Sequence, residues 1–304
     1  MNENKVLILG ATGFLGSYFN NFLQNKSIAH SSNLRFKNIL KNQKILFQEF
    51  HDESSINQIF KVKNIDKIIN CIAISDIEKC EANSDLAKWV NSDIPRLLAK
   101  KAYSSGIQLI HLSTDAVFSD NYTFPTELNV PQPKSIYGKT KLNGEINVTE
   151  SNKKALICRV NFFGWNDRGK SLFNYFYSNI SEGNSVIGFT DIFFTPIYAA
   201  DTVKIIVNLS KLNLSGIYHV VGNDRISKYQ FALMVGKKMG SDTSKIEPSL
   251  AKGNTFSLFR SRDLSLSNAK LRALGVNIPS ISQGLDDLFK ELESVNDGIS
   301  HKFT

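Results

Sequence analysis

The chain is 304 residues long, 42% apolar and 21% charged, enough for one large or two intertwined domains and incompatible with a disordered protein. Its net charge of +8 suggests an anionic partner. Lys and Arg are spread along the chain, which argues against nucleic acid and leaves a phosphorylated small molecule or a solvated basic surface.

No apolar run approaches membrane-spanning length, and the first five residues lead straight into an apolar segment, so neither a membrane partner nor a secretory leader is expected. The three cysteines, Cys71, Cys80 and Cys158, include no C-x-x-C pair. We therefore expect buried thiols in a reducing cytoplasm, with no zinc site and no disulfide framework.

Residues 6–9 (VLIL) form a short apolar run bounded by glycine, which reads as a buried parallel strand. Gly10-Ala11-Thr12-Gly13-Phe14-Leu15-Gly16 follows, and Leu15, Phe19, Phe22 and Leu23 then recur at helical spacing. A strand, glycine turn and helix in succession leave N–H groups at a helix N-terminus, which suits a pyrophosphate. A glycine-containing turn with no ligand fits this motif equally well. Further strands are predicted at 28–30, 44–47, 67–71, 108–112, 155–160 and 216–221, alternating with helical segments. That alternation predicts an α/β fold, a doubly wound parallel Rossmann sheet.

Ser75-x-x-Glu78 reads as a capping box opening the helix that carries Leu86, Ala87 and Val90, and Pro95 marks a kink or a restart. Regularity fades after the sixth strand. A helix at about 172–180, a glycine turn and a short strand lead to Thr195-Pro196, and residues beyond about 226 mix helices with a polar stretch. We read a smaller substrate-binding lobe, residues 166–196 and 226–304, interleaved with a sheet domain of 1–165 and about 197–225.

Tyr137 and Lys141 lie four apart in a helical segment and so share a face. An ammonium there is expected to lower the phenol's pKa, suiting it for proton transfer at a carbonyl or alcohol oxygen. An exposed pair at that spacing is an equal alternative. Ser113-Thr114-Asp115 ends the fifth strand on the edge where the glycine turn lies, so a hydroxyl there could share the same oxygen. The conjunction of the three elements favours catalysis over turn formation.

Together, GATGFLG, STDAVF and Tyr-x-x-x-Lys within YGKTKLNGE resemble the extended short-chain dehydrogenase/reductase family. The longer strings narrow the likeness: STDAVF is similar to STDYVF, YGKTKLNGE to YGKSKLAGE, and SRDLSLSNAKLRALG to the C-terminal signature of dTDP-4-dehydrorhamnose reductases. The resemblance implies that Tyr137 protonates a 4-keto oxygen, that Lys141 holds the nicotinamide ribose, and that Thr114 adds a hydroxyl. It assigns the cofactor to Gly10, Thr12, Gly13, Phe14, Leu15, Gly16, Ser31, Asp52, Cys71, Ile72, Ala73, Asn91 and Ser113. It assigns the sugar nucleotide to Asp115, Ala116, Phe162, Thr195 and Arg260. The expected partner is a nucleotide-diphosphate sugar, with a homodimer allowed.

Cofactor choice can be argued from the end of the second strand, His30-Ser31-Ser32-Asn33-Leu34-Arg35. NAD enzymes offer a carboxylate to the ribose 2′-hydroxyl there. This stretch has no acid and a nearby arginine, which predicts NADPH, although Arg35 pointing to solvent is the plain alternative. Departures from the family strings fall at Ala116, Phe162 and Ser267. Ala116 also removes the second carboxylate that related dehydratases carry after the threonine, which argues against dehydration. The expected activity is NADPH-dependent reduction of a nucleotide-linked 4-keto-6-deoxy sugar. The alternatives are an epimerase or dehydratase, or a non-catalytic NADP-binding subunit. His111 and His219 are expected to be structural, and the Phe162-Phe163 and Phe193-Phe194 pairs to build core.

Overall fold

In the computed structural model, residues 5–32, 45–120, 122–251 and 261–300 are described, with side chains to 294. The chain enters one sheet as β1 (Lys5–Leu9), β2 (Ser27–Ser31), β3 (Ile45–Phe47), β4 (Ile65–Asn70), β5 (Gln108–Thr114) and β6 (Leu156–Val160). It leaves for four short strands, β7 (Phe162–Phe163), β8 (Val186–Phe189), β9 (Phe193–Phe194) and β10 (Ile197–Tyr198), and returns as β11 (Gly216–Val220). The sheet order is β11-β6-β5-β4-β1-β2-β3, every pairing parallel. All seven expected strands therefore join one doubly wound sheet, whose order reverses between β1 and β4.

Alternation along the strands fills both faces. Leu7, Leu9, Ile68, Leu109 and Ile157 point to one core, and Ile8, Ile69, Ile110 and Cys158 to the other. The first core is closed by α2 (Glu53–Ile59), α5 (Ile94–Ser104) and α6 (Ile136–Ser151). The second is closed by α1 (Phe14–Leu23) and α8 (Ala199–Lys211).

The stretch after β4 corrects the capping expectation. Asp76, not Ser75, caps α3 (Ile77–Ala82), its carboxylate accepting from Lys79 N at 3.2 Å. The helix stops at Asn83, whose side chain caps a second one, α4 (Ser84–Lys88). A π-helical turn, Trp89–Asp93, carries the helix without a break into α5, and Pro95, which has no N–H to donate, stands just after that irregular turn.

The small sheets gather at the carboxyl edge. β7 pairs with β10; β9 pairs with β12 (Ile226–Ser227); β8 pairs with β13 (Ile246–Ser249); and β14 (Asp263–Leu264) lies on β9. α7 (Leu172–Ser181), α9 (Lys228–Lys238), α10 (Ala269–Arg272) and α11 (Ile281–Ser300) complete the chain. Phe231 of α9 is the centre of an aromatic cluster, with ring centroids 5.2 Å from Phe163 and 5.7 Å from Phe194. One member of each phenylalanine pair thus builds core. Among the described residues, no helix is long and apolar enough to cross a membrane.

Candidate active site

The glycine turn forms as its spacing requires. Gly10 has φ of 75°, and a Cβ at Gly16 would lie 2.1 Å from the Gly10 carbonyl oxygen, so only glycine lets α1 start this close to β1. Gly13 is the N-cap of α1 and supplies no side-chain cap, and the first turn, beginning Phe14-Leu15-Gly16, carries no acid. Thr12 and Ser31 join the ends of the turn and of β2 through their hydroxyls, 3.0 Å apart. Arg35 and Arg260 lie outside the described residues.

β5 runs two residues beyond its expected end because the polar Ser113 and Thr114 find partners inside the fold. The Ser113 hydroxyl donates to Glu145 Oε1 at 2.5 Å. The Thr114 hydroxyl donates to Asp115 Oδ1 at 3.0 Å and lies close enough to the Tyr137 phenol to bear on its pKa. Tyr137 comes this close because α6 packs tightly at its start: a Cβ on Gly138 would meet the Ala116 carbonyl oxygen at 2.3 Å. Ser135 caps the helix through Gly138 N. One turn below Tyr137, Lys141 is 2% exposed and donates from Nζ to the Leu112 carbonyl at 2.6 Å.

The expected lowering of the phenol's pKa does not occur in the unliganded chain. Burial raises the Tyr137 hydroxyl above its ordinary value, the Asp115 charge pushes the same way, and the Thr114 hydroxyl opposes them. Burial also lowers Lys141 to about 8, against the opposing charge of Glu145. Asp115 is pushed up to about 6 by burial, although Thr114 and the Asn161 amide both donate to it.

Below this trio lies a buried network that the sequence reading missed. Arg159 grips Glu145 through Nε, at 2.9 and 3.2 Å from the two oxygens, and through Nη2 at 2.7 Å. Arg159 Nη1 donates to His219 Nε2 at 3.2 Å, while His219 Nδ1 donates to the Ser267 carbonyl at 3.0 Å. The available signal was Glu145 itself, four residues after Lys141 and eight after Tyr137, hence on the same helix face.

Other expected site residues also hold the fold around the site. Thr195 is fully buried, its hydroxyl accepting from Leu266 N at 3.2 Å, so it cannot wall a cavity. Asn91 is also fully buried; its amide pairs with both backbone groups of Ile74, at 2.9 and 3.0 Å, and so holds the segment after β4. Asp52 caps α2 through Ser55 N at 2.7 Å. Phe162 packs edge-on against Phe14, ring centroids 5.0 Å apart, beside the glycine turn. Cys71, Ile72 and Ala73 run along the end of β4, where Cys71 N donates to the Leu9 carbonyl at 3.0 Å.

A cavity of about 360 Å³ opens beside Ala116, lined by Ser135, Tyr175, Phe176 and Phe189, with Lys134 and Lys228 among its walls. An apolar pocket edged by two cations can hold an apolar group with an anionic tail, and its wall residues Ala116 and Ser135 are close in the chain to Thr114 and Tyr137.

A family model described as RmlD substrate binding domain matches residues 4–294. The chain is 30% identical over 253 residues to the probable low-salt glycan biosynthesis reductase of Haloferax volcanii, spanning 80% of this chain and 83% of that one. It is 27% identical over 285 residues to methionine adenosyltransferase 2 subunit beta of Bos taurus, spanning 90% and 83%. Its fold matches the dTDP-4-dehydrorhamnose reductase of Bacillus anthracis, solved in complex with NADP, with a TM-score of 0.83 at 24% identity, covering 95% of this chain and 99% of that one.

Proposed function

Because the chain belongs to the RmlD substrate binding domain family, the dTDP-4-dehydrorhamnose reductase family of extended short-chain dehydrogenases/reductases, we propose that it reduces a nucleotide-linked 4-keto-6-deoxy sugar with NADPH. The observation that carries the reading is the gathering of Thr114, Tyr137 and Lys141 at the carboxyl end of β5, where the Lys141 ammonium donates to the Leu112 carbonyl and the Thr114 hydroxyl lies close enough to the phenol to oppose the rise in its pKa.

The turn from Gly10 to Gly16 fits a dinucleotide, since α1 begins with neither a side-chain cap nor an acid that would repel phosphate. Thr12 and Ser31 flank it on the adenosine side, and Cys71, Ile72 and Ala73 line the way toward Lys141. Bound NADPH supplies the hydride. Tyr137, its pKa raised by burial, holds its proton at neutral pH and gives it to the carbonyl oxygen as that oxygen becomes an alkoxide. Thr114, by turning its single hydroxyl proton from Asp115 to the same oxygen, orients it. Lys141, charged below about pH 8, adds a positive field from one turn away. The small sheets with α7 and α9 form the substrate lobe, and Lys134 and Lys228 receive the nucleotide's phosphates.

The test is NADPH oxidation measured with several nucleotide-linked 4-keto sugars. Tyr137→Phe is expected to lower kcat by roughly a hundredfold or more while leaving NADPH binding intact. A second reading, a nucleotide-binding subunit without turnover, draws on the likeness to methionine adenosyltransferase 2 subunit beta. NADPH binding without oxidation on any sugar would favour it.

A further inference from the structure

Between β7 and α7 the chain crosses from the small sheets to the glycine turn as Trp165-Asn166-Asp167-Arg168-Gly169-Lys170. This crossing is held at both ends. The Tyr18 hydroxyl of α1 donates to the Trp165 carbonyl and accepts its N–H, both at 3.1 Å. Asn174 of α7 accepts the Asn166 N–H at 2.9 Å and donates to its carbonyl at 3.2 Å. Between these anchors Gly169 N donates to the Asn166 carbonyl at 2.8 Å and closes a tight turn.

Two cations project from that turn. Arg168 Nη2 donates to the Thr12 carbonyl, inside the glycine turn, at 2.5 Å. Lys170 lies near Asp76, beyond the end of β4. The Asp76 carboxyl is held low first by the Lys79 N–H, then among nearby charges by Lys79 and Lys170. Arg168 therefore sits at the end of β1, on one side of the point where the sheet order reverses, and Lys170 is within electrostatic reach of Asp76 on the other. In sheets of this kind a ligand's phosphates lie across that gap. A planar guanidinium suits phosphate oxygens, and an arginine serving only to fasten the loop would duplicate what Tyr18 and Asn174 already do.

We propose that residues 165–170 form a cationic strap over the dinucleotide, with Arg168 binding one of its phosphates and Lys170 assisting. The proposal rests on the reading of the glycine turn as a dinucleotide site. The strap continues directly into α7, whose Leu172, Tyr175 and Phe176 wall the cavity beside Ala116, so the same segment touches both ligands' sites.

The test is equilibrium binding of NADPH and of NADH to the full chain, followed by nicotinamide fluorescence, for wild type, Arg168→Ala, Arg168→Lys and Lys170→Ala. Arg168→Ala is expected to raise Kd about tenfold to a hundredfold, the range for a hydrogen-bonded charge. Lys170→Ala is expected to raise it about two- to fivefold, and Arg168→Lys to recover part of the loss. Because Arg168 is exposed, the unfolding midpoint should not move. Equal losses for both dinucleotides assign Arg168 to the diphosphate; a loss confined to NADPH assigns it to the 2′-phosphate. Wild type that binds while Arg168→Ala binds within twofold of it overturns the strap and leaves the cofactor reading standing. Wild type that binds neither dinucleotide overturns both.

Discussion

Replacing Glu145 with glutamine keeps the side chain's shape and one acceptor oxygen but removes the charge that faces Arg159. Both side chains are only 2% exposed, so the guanidinium cannot turn to water when its partner becomes neutral. Of the three contacts at 2.7 to 3.2 Å, those to one oxygen survive and the others confront an amide N–H. Removing one partner of a buried pair costs about 3–5 kcal/mol. The retained oxygen and the Ser113 contact place Glu145→Gln near the lower figure, about 3 kcal/mol. Urea denaturation should show a midpoint lower by roughly 1 M with an unchanged slope. Adding Arg159→Met should recover much of the loss, because the unpaired cation goes with it.

A second readout separates electrostatics from packing. Glu145 is the charge that opposes the lowering of Lys141, so neutralising it drops the ammonium below about 8 and moves the alkaline limb of kcat/KM to lower pH. Cys71 is kept a neutral thiol by burial and His111 beside Lys141 is uncharged at neutral pH, so Glu145 is the anion in question. A Glu145→Gln protein within 1 kcal/mol of wild type, with an unmoved alkaline limb, would refute this reasoning.

Three further outcomes are expected. Gly16→Ala sets a methyl carbon 2.1 Å from the Gly10 carbonyl oxygen and should lower Tm by roughly 3–8 °C; an unchanged Tm would mean that α1 does not need this close approach. Asp76→Ala should cost about 1 kcal/mol as a lost helix cap while Ser75→Ala stays within about 0.5, and the reverse ranking in urea melts would restore the capping box read from sequence. Stability should fall on acidification below pH 6.5, because burial holds His219 at about 3 and His30 at about 4. The unfolded chain takes up those protons first, so this stability is full above 6.5 and lost as pH drops through the folded values. Asp115, raised to about 6, works the other way between roughly 4 and 6, but His111, also held well below its ordinary value by burial, adds to the loss, so stability still falls there. A urea midpoint at pH 5 equal to or above that at pH 7 would contradict this.

Much of the site was legible in the one-dimensional pattern because it depends on local period. Short apolar runs alternating with helical segments marked every strand of the large sheet, and a four-residue step put Tyr137 and Lys141 on one face of α6. The glycine spacing announced a turn in which a helix starts against a strand, and the Gly16 contact is that geometry realised. Residues whose roles depend on distant partners were read less well. Thr195 and Asn91 took site roles from the resemblance, and their bonds to Leu266 and Ile74 could not be read from spacing.

By itself the sequence determined which side chains share a face, since the periods of strand and helix are properties of the backbone. Only the tertiary structure decided what each face meets. Pairing of β5 with β6 aligns Ser113 with Arg159, and both close on Glu145, which is 32 residues from one and 14 from the other along the chain. The sign of the shift at Tyr137 was decided in the same way. Residue spacing counts a nearby ammonium, but the phenol responds to everything packed around it, and there burial and Asp115 outweigh the opposing influence of the Thr114 hydroxyl.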